Sequence, residues 1–306
     1  MLNHFKTCVA VLIAAIPLVL SCSLFSNNRG ITTIKFQGTL PGGTLAVSMK
    51  SAWLKDVSPS PLFADVQLVS TGKSGTNSGV FTLTEARMSV KEIKIKLSTE
   101  DTKSTEDSTE NEKIKLNGPF IADLISNTLT PQPTNLGLKA GTYKQIQFKL
   151  DKIEGDEKKE SSTSLVTTND PLYGSSVYLA GFYTGQTANK GIVTNMPFSF
   201  TFSLEDELTL TPPGSNAAGF AVSTDADNPI IIAFRMGKWF NFNTKNTDGS
   251  DLTVTTVNAT DTILLTENGS SGNKTLRDLI KENIKSSANY GKDKDKDGIL
   301  SDSEDD

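Results

Sequence analysis

Between Phe198 and Leu204 every second residue is large and apolar: Phe198, Phe200, Phe202 and Leu204, with Ser199, Thr201 and Ser203 between them. A side-chain period of two fits a strand with one buried and one wet face, and it does not fit a helix. The same period recurs at Leu45, Val47 and Met49, at Ile93, Ile95 and Leu97, and at Ile146, Phe148 and Leu150. A shorter version stands at Leu252 and Val254. Turn clusters separate these runs, at Pro41–Gly43, Thr71–Gly79, Asn117–Pro119, Ala140–Gly141, Thr211–Ser215 and Asp248–Ser250. No stretch before residue 273 keeps a helical period for more than two turns. The pattern predicts a mainly β chain, an antiparallel immunoglobulin-like β-sandwich or sandwiches, followed by one short C-terminal helix.

Two β units divide the body on this reading, residues 31–155 and residues 170–262, the second being a separate unit or a continuation of the first. The polar stretch Asp151–Asn169 between them serves either as a linker or as a long hairpin loop. A helix is predicted over 273–290. Thr275 can cap it, Asp278 sits near its positive end, and Leu276, Leu279, Ile280 and Ile284 fall on one face.

The first 21 residues read as an address. Lys6 precedes an apolar run from Cys8 to Leu20, too short to span a bilayer as a helix, which needs about 20 residues. Val19, Leu20, Ser21 and Cys22 follow. This segment resembles the lipobox of bacterial lipoproteins, and the resemblance implies acylation of Cys22 by chains such as palmitate. Each buried CH₂ contributes about 0.8 kcal/mol, and several chains together anchor stably. Residues 22–30 are then a lipidated tether. Ser23 after the cysteine implies sorting to the outer membrane, facing the periplasm or the surface.

One absence excludes much chemistry. The single histidine is His4 and the two cysteines are Cys8 and Cys22. After removal of the signal no imidazole and no thiol beyond Cys22 remain. Ser-His-Asp and Cys-His catalysis, histidine-ligated zinc, haem and structural disulfides drop out. Carboxylate-pair and Ser-Lys chemistry stay formally open, but the reading is that the protein is not an enzyme. The net charge of −5 offers no basic footprint for nucleic acid.

Residues 291–306 state the clearest chemistry. Asp293, Asp295 and Asp297 alternate with lysines, Gly298 follows, and Glu304 closes the run. The spacing is similar to a twelve-residue EF-hand loop. Asp293, Asp295 and Asp297 fall at positions 1, 3 and 5, and Gly298 makes the turn at 6. Ile299 offers its carbonyl at 7, Leu300 is the inward apolar residue at 8, Ser301 stands at 9, and Glu304 gives two oxygens at 12. Calcium takes six to eight hard oxygens, which this set supplies. The sequence stops two residues after Glu304 and holds no second loop of this kind. The expected affinity is therefore at the weak end, roughly 10⁻⁵–10⁻³ M.

The segments Phe120–Ile125 and Leu138–Phe148, with Ala140, Gly141, Tyr143 and Ile146 leading into a long strand, resemble a bacterial family of uncharacterised β-sandwich lipoprotein domains. The resemblance covers about residues 31–155 and implies a β fold in the cell envelope, with no assigned catalytic role. Two surfaces invite a binding reading. Segment 98–113 carries Glu100, Asp101, Glu106, Asp107, Glu110 and Glu112, and reads as a solvated hairpin tip more than as a binding loop. Tyr173, Tyr178, Phe182 and Tyr183 lie among glycines and serines, so a carbohydrate- or small-ligand-binding module is the alternative function. Trp239 follows the apolar run Ile230–Phe234 and reads as core. The leading expectation is a non-enzymatic, lipid-anchored envelope protein. Its calcium-binding tail serves a surface-interaction or structural role, with a protein or glycan as possible partner.

Overall fold

Alternating residues become strands wherever the structure describes them. The computed structural model describes residues 29–39, 66–71, 77–97, 113–133, 136–154, 165–187, 190–211, 219–224, 228–241, 261–267, 271–292 and 300. The runs at Leu45–Met49 and Leu252–Val254 lie outside these residues. In chain order the strands are β1 (Arg29–Thr39), β2 (Val66–Thr71), β3 (Asn77–Leu97), β4 (Lys113–Asp123), β5 (Thr128–Thr130), β6 (Leu136–Lys139) and β7 (Gly141–Leu150). There follow β8 (Val177–Thr187), β9 (Gly191–Phe202), β10 (Glu207–Leu210), β11 (Phe220–Val222), β12 (Asn228–Arg235) and β13 (Ile263–Leu265). Helix α1 (Ser271–Ser287) runs directly into β14 (Ala288–Lys292).

The strands form two sheets. The smaller has the order β14-β12-β1-β6, and the larger the order β10-β7-β3-β8-β9-β13, with β11 on β7, β2 and β4 on β3, and β5 on β4. Both are mixed, which corrects the expectation of purely antiparallel pairing. β1 and β12 run parallel, with Ile34 beside Ile230 and Phe36 beside Ile232, and β13 runs parallel to β9. Parallel neighbours need a long crossover, and here nearly the whole β body lies between β1 and β12. Strands from both halves of the sequence also pair directly, β3 with β8 and β1 with β12.

The sheets share one apolar interior. Phe198, Phe200 and Phe202 of β9 point into it while Ser199 and Thr201 stay half-exposed. Phe36 of β1 meets Phe148 of β7 edge-on at 5.6 Å between ring centres, and Phe81 of β3 stacks on Phe240 at 4.1 Å. Such pairs contribute about 0.5–1.5 kcal/mol beyond the area they bury. Gly38 lets β1 approach this interior closely, since a Cβ there would meet the Met236 side chain and the Leu124 carbonyl. Its N–H donates to Leu124 O at 3.1 Å.

α1 closes one side. Leu276, Ile280 and Ile284 are buried, as their spacing predicts, and Leu279 packs at the margin. Trp239 is fully buried beneath the helix and its Nε1 donates to Ser287 Oγ at 2.8 Å. Asn283 Nδ2 donates to the carbonyls of Trp239 and Asn241. The Ser286 and Ser287 hydroxyls bond back to the carbonyls of Asn283 and Ile284. The next residue, Ala288, pairs with Phe234 of β12, so chain predicted helical to residue 290 becomes an edge strand from 288.

Candidate functional site

β12 reads Ile230, Ile231, Ile232, Ala233 and Phe234, without alternation. Ile230, Ile232 and Phe234 belong to the interior shared by the sheets. Strand geometry sends Ile231 and Ala233 to the opposite, outer face. They are nevertheless buried, in a separate cluster with Leu300. Leu300 is the apolar residue of the calcium-loop motif, and it is 4% exposed.

The seat for Leu300 is built by three strands. β12 supplies Ile231 and Ala233. β14 places Gly291 beside Ile231, so that no side chain from that strand stands there. β1 places Gln37 beside Ala233. Gln37 is 1% exposed, although it lies on the outer face, and its Oε1 accepts the Leu300 N–H at 3.0 Å. A buried amide costs stability unless hydrogen-bonded, and this contact meets that requirement for one of its atoms.

The predicted calcium ligands Asp293, Asp295, Asp297, Ile299, Ser301 and Glu304 lie outside the described residues, as does the lipidation candidate Cys22. Of the loop, Leu300 alone is described. Among the described residues no group of three or more His, Cys, Asp or Glu converges as a metal cluster, and no helix is long and apolar enough to cross a membrane.

Several chain segments leave the body at one end. Arg29 pairs with Lys139, and Lys139 is joined through Ala140 to Gly141. Gly141 borders Leu97 and pairs with Val222. Lys96 pairs with Lys113 across β3 and β4. Lys292, at the end of β14, reaches back so that its Nζ donates to the Ala221 carbonyl at 3.3 Å. Gly219, with φ +73°, lets β11 press against β7 here, since a Cβ would strike the Tyr143 carbonyl. The Tyr143 ring is buried and its hydroxyl donates to Lys139 O at 3.0 Å. The points where residues 1–28, 98–112 and 293–299 join the fold therefore share one pole.

The larger sheet carries a second outer cluster, of Ile153, Val166, Leu172 and Tyr178. Arg87 lies 5.0 Å over the Tyr178 ring and donates to Asp170 at 2.9 Å. Burial raises the Asp170 pKa, but the Arg87 hydrogen bond and the Leu172 N–H outweigh it, and the net pKa is lowered. Asp151 is similar: burial raises its pKa, while Lys91, the Lys152 N–H and Lys149 bring it below the usual carboxylate value. Nearby, Tyr183 is fully buried and burial pushes its pKa up to about 12. Tyr178 is buried as well, and Phe182 is the aromatic ring of this segment that is exposed.

No family model, curated protein or solved structure matches the chain.

Proposed function

We propose that this chain is a bacterial envelope protein held to the outer membrane by lipid on Cys22, without catalytic activity, whose segment 291–306 binds calcium. The role is surface interaction or envelope architecture, with a protein or glycan as partner. The two-sheet body is read as an immunoglobulin-like sandwich similar to the uncharacterised β-sandwich lipoproteins.

The observation that carries this reading is the shared pole. Cys22 stands seven residues before Arg29, and a fully extended tether of that length reaches about 25 Å at most. A lipid on Cys22 would therefore hold the end bearing Arg29, Lys139 and Lys292 near the bilayer, and segments 98–112 and 293–299 join the fold at that same end. The candidate donors Asp293, Asp295, Asp297, the Ile299 carbonyl, Ser301 and Glu304 are hard oxygens without nitrogen or sulfur, a set suited to calcium rather than to softer metals.

Metabolic labelling with palmitate tests the anchor. Label and membrane retention should both be lost in Cys22→Ala, and an unlabelled wild-type protein would overturn the anchor. Calorimetric titration with calcium tests the tail, with binding expected in the wild type and abolished in Glu304→Gln. Protease treatment of intact cells separates a surface-facing from a periplasmic orientation.

A further inference from the structure

We propose that the outer face of the small sheet, at Gln37, Ile231 and Ala233, positions the calcium loop, so that docking of Leu300 and calcium affinity are one linked equilibrium. The inference rests on the calcium reading of segment 291–306 given above. Lys292 is fixed as the last residue of β14, opposite Ile230. Leu300 is fixed on the seat by burial against Ile231 and Ala233 and by its N–H bond to Gln37. The sequence between these two points holds Asp293, Asp295, Asp297, Gly298 and Ile299. The stretch bearing Asp293, Asp295, Asp297 and the Ile299 carbonyl is therefore flanked by two residues held by the body, and Ser301 and Glu304 follow Leu300 in the sequence.

A metal loop taken from a free tail must lose its closure entropy when the ion binds. With Lys292 and Leu300 fixed in advance, much of that cost is met by the sheet, and affinity rises through preorganisation. Linkage makes the effect reciprocal: if docking strengthens calcium binding, calcium strengthens docking by the same factor. The burial of Ile231 and Gln37 supports a seat made for this purpose. An isoleucine and a glutamine on the outer face of a sheet are buried because something covers them, and among the described residues Leu300 packs there.

Gln37, Ile231 and Leu300 are thus positioning residues rather than ligands. The test is calcium titration of the full-length protein in detergent, for the wild type, Leu300→Ala, Leu300→Met, Gln37→Ala and Glu304→Gln. Leu300→Ala should weaken calcium binding roughly tenfold, within the usual 5–150-fold range of coupling between sites. Leu300→Met should restore affinity to within about threefold, because it refills the seat with a similar volume. Gln37→Ala should weaken binding less than Leu300→Ala. Hydrogen exchange at the Leu300 amide gives a second readout: calcium should slow it in the wild type and leave it unchanged in Glu304→Gln. Equal affinities for wild type and Leu300→Ala, with a Leu300 amide indifferent to calcium, would overturn the coupling while the calcium site stands. No calcium heat in the wild type would overturn the site itself and the coupling with it.

Discussion

Each sheet has a small apolar cluster on the face turned away from the shared interior, and the two are closed in different ways. On the larger sheet, residues 165–176 lie over Tyr178. They are tied down by Ser89 N–H to Ser176 O, Gly174 N–H to Ile153 O, the Arg87–Asp170 ion pair and the buried Leu172. On the smaller sheet the described cover is Leu300, with its N–H on Gln37. The first cover lies between strands already fixed by long ladders. The second is a single described residue, eight positions after the end of β14. A cover of the first kind is a permanent part of the fold. If segment 291–306 binds calcium as proposed, the ion would add to the energy that holds the second cover in place.

Leu172→Ala should show the largest effect. Deleting a fully buried leucine should destabilise the protein by about 3 kcal/mol, read as a lower urea midpoint with an unchanged slope. If its cost is no larger than that of an exposed leucine, the first cover is not integral to the fold. Next comes Ile231→Ala, at about 2 kcal/mol in the otherwise unchanged chain. In a Leu300→Ala background the same change should cost about 1 kcal/mol less, because the cover is already gone, a coupling typical of contacting residues. Strict additivity would separate Ile231 from Leu300.

Asp170→Asn should cost about 1 kcal/mol at pH 7, since the pair with Arg87 is partly buried. Its pH dependence has a definite sign. The folded pKa of Asp170 lies below its ordinary value of 3.8, so the carboxylate contributes stability above that value and loses it as pH falls below it. Asp151 behaves alike. Urea midpoints of the wild type should therefore drop below about pH 4, and Asp170→Asn should remove part of the drop. The smallest effect is expected from chelation. Removing calcium should speed amide exchange at Leu300 and leave the amides of Leu172 and Gly174 unchanged.

Much of this was legible along the chain. Period-two runs at Ile93–Leu97, Ile146–Leu150 and Phe198–Phe202 became parts of β3, β7 and β9, because alternation is a local property of a strand with one wet face. The face of α1 was legible for the same reason at a period of 3.6. The continuous run Ile230–Phe234 carried a further signal, since a strand without alternation is covered on both faces. The sequence did not reveal what covers the second face. Nor did it reveal β14, whose five residues are too short and too polar to show a period and become a strand by pairing with β12.

By itself the sequence determined that the body is β-rich and that one helix follows near the end, and it named the candidates for lipid and calcium proposed above. These are matters of local period and residue type. Tertiary structure decided that β1 and β12 run side by side in the same direction and that β14 returns against them. That antiparallel return brings Lys292 to the Arg29 end of the small sheet, so the points where residues 1–28 and 293–299 join the fold share one pole. It also decided that Leu300 lies on Ile231 and Ala233. The physical reason is that strand neighbours are chosen by long-range pairing and burial, and no local pattern in a chain records which distant segment will provide them.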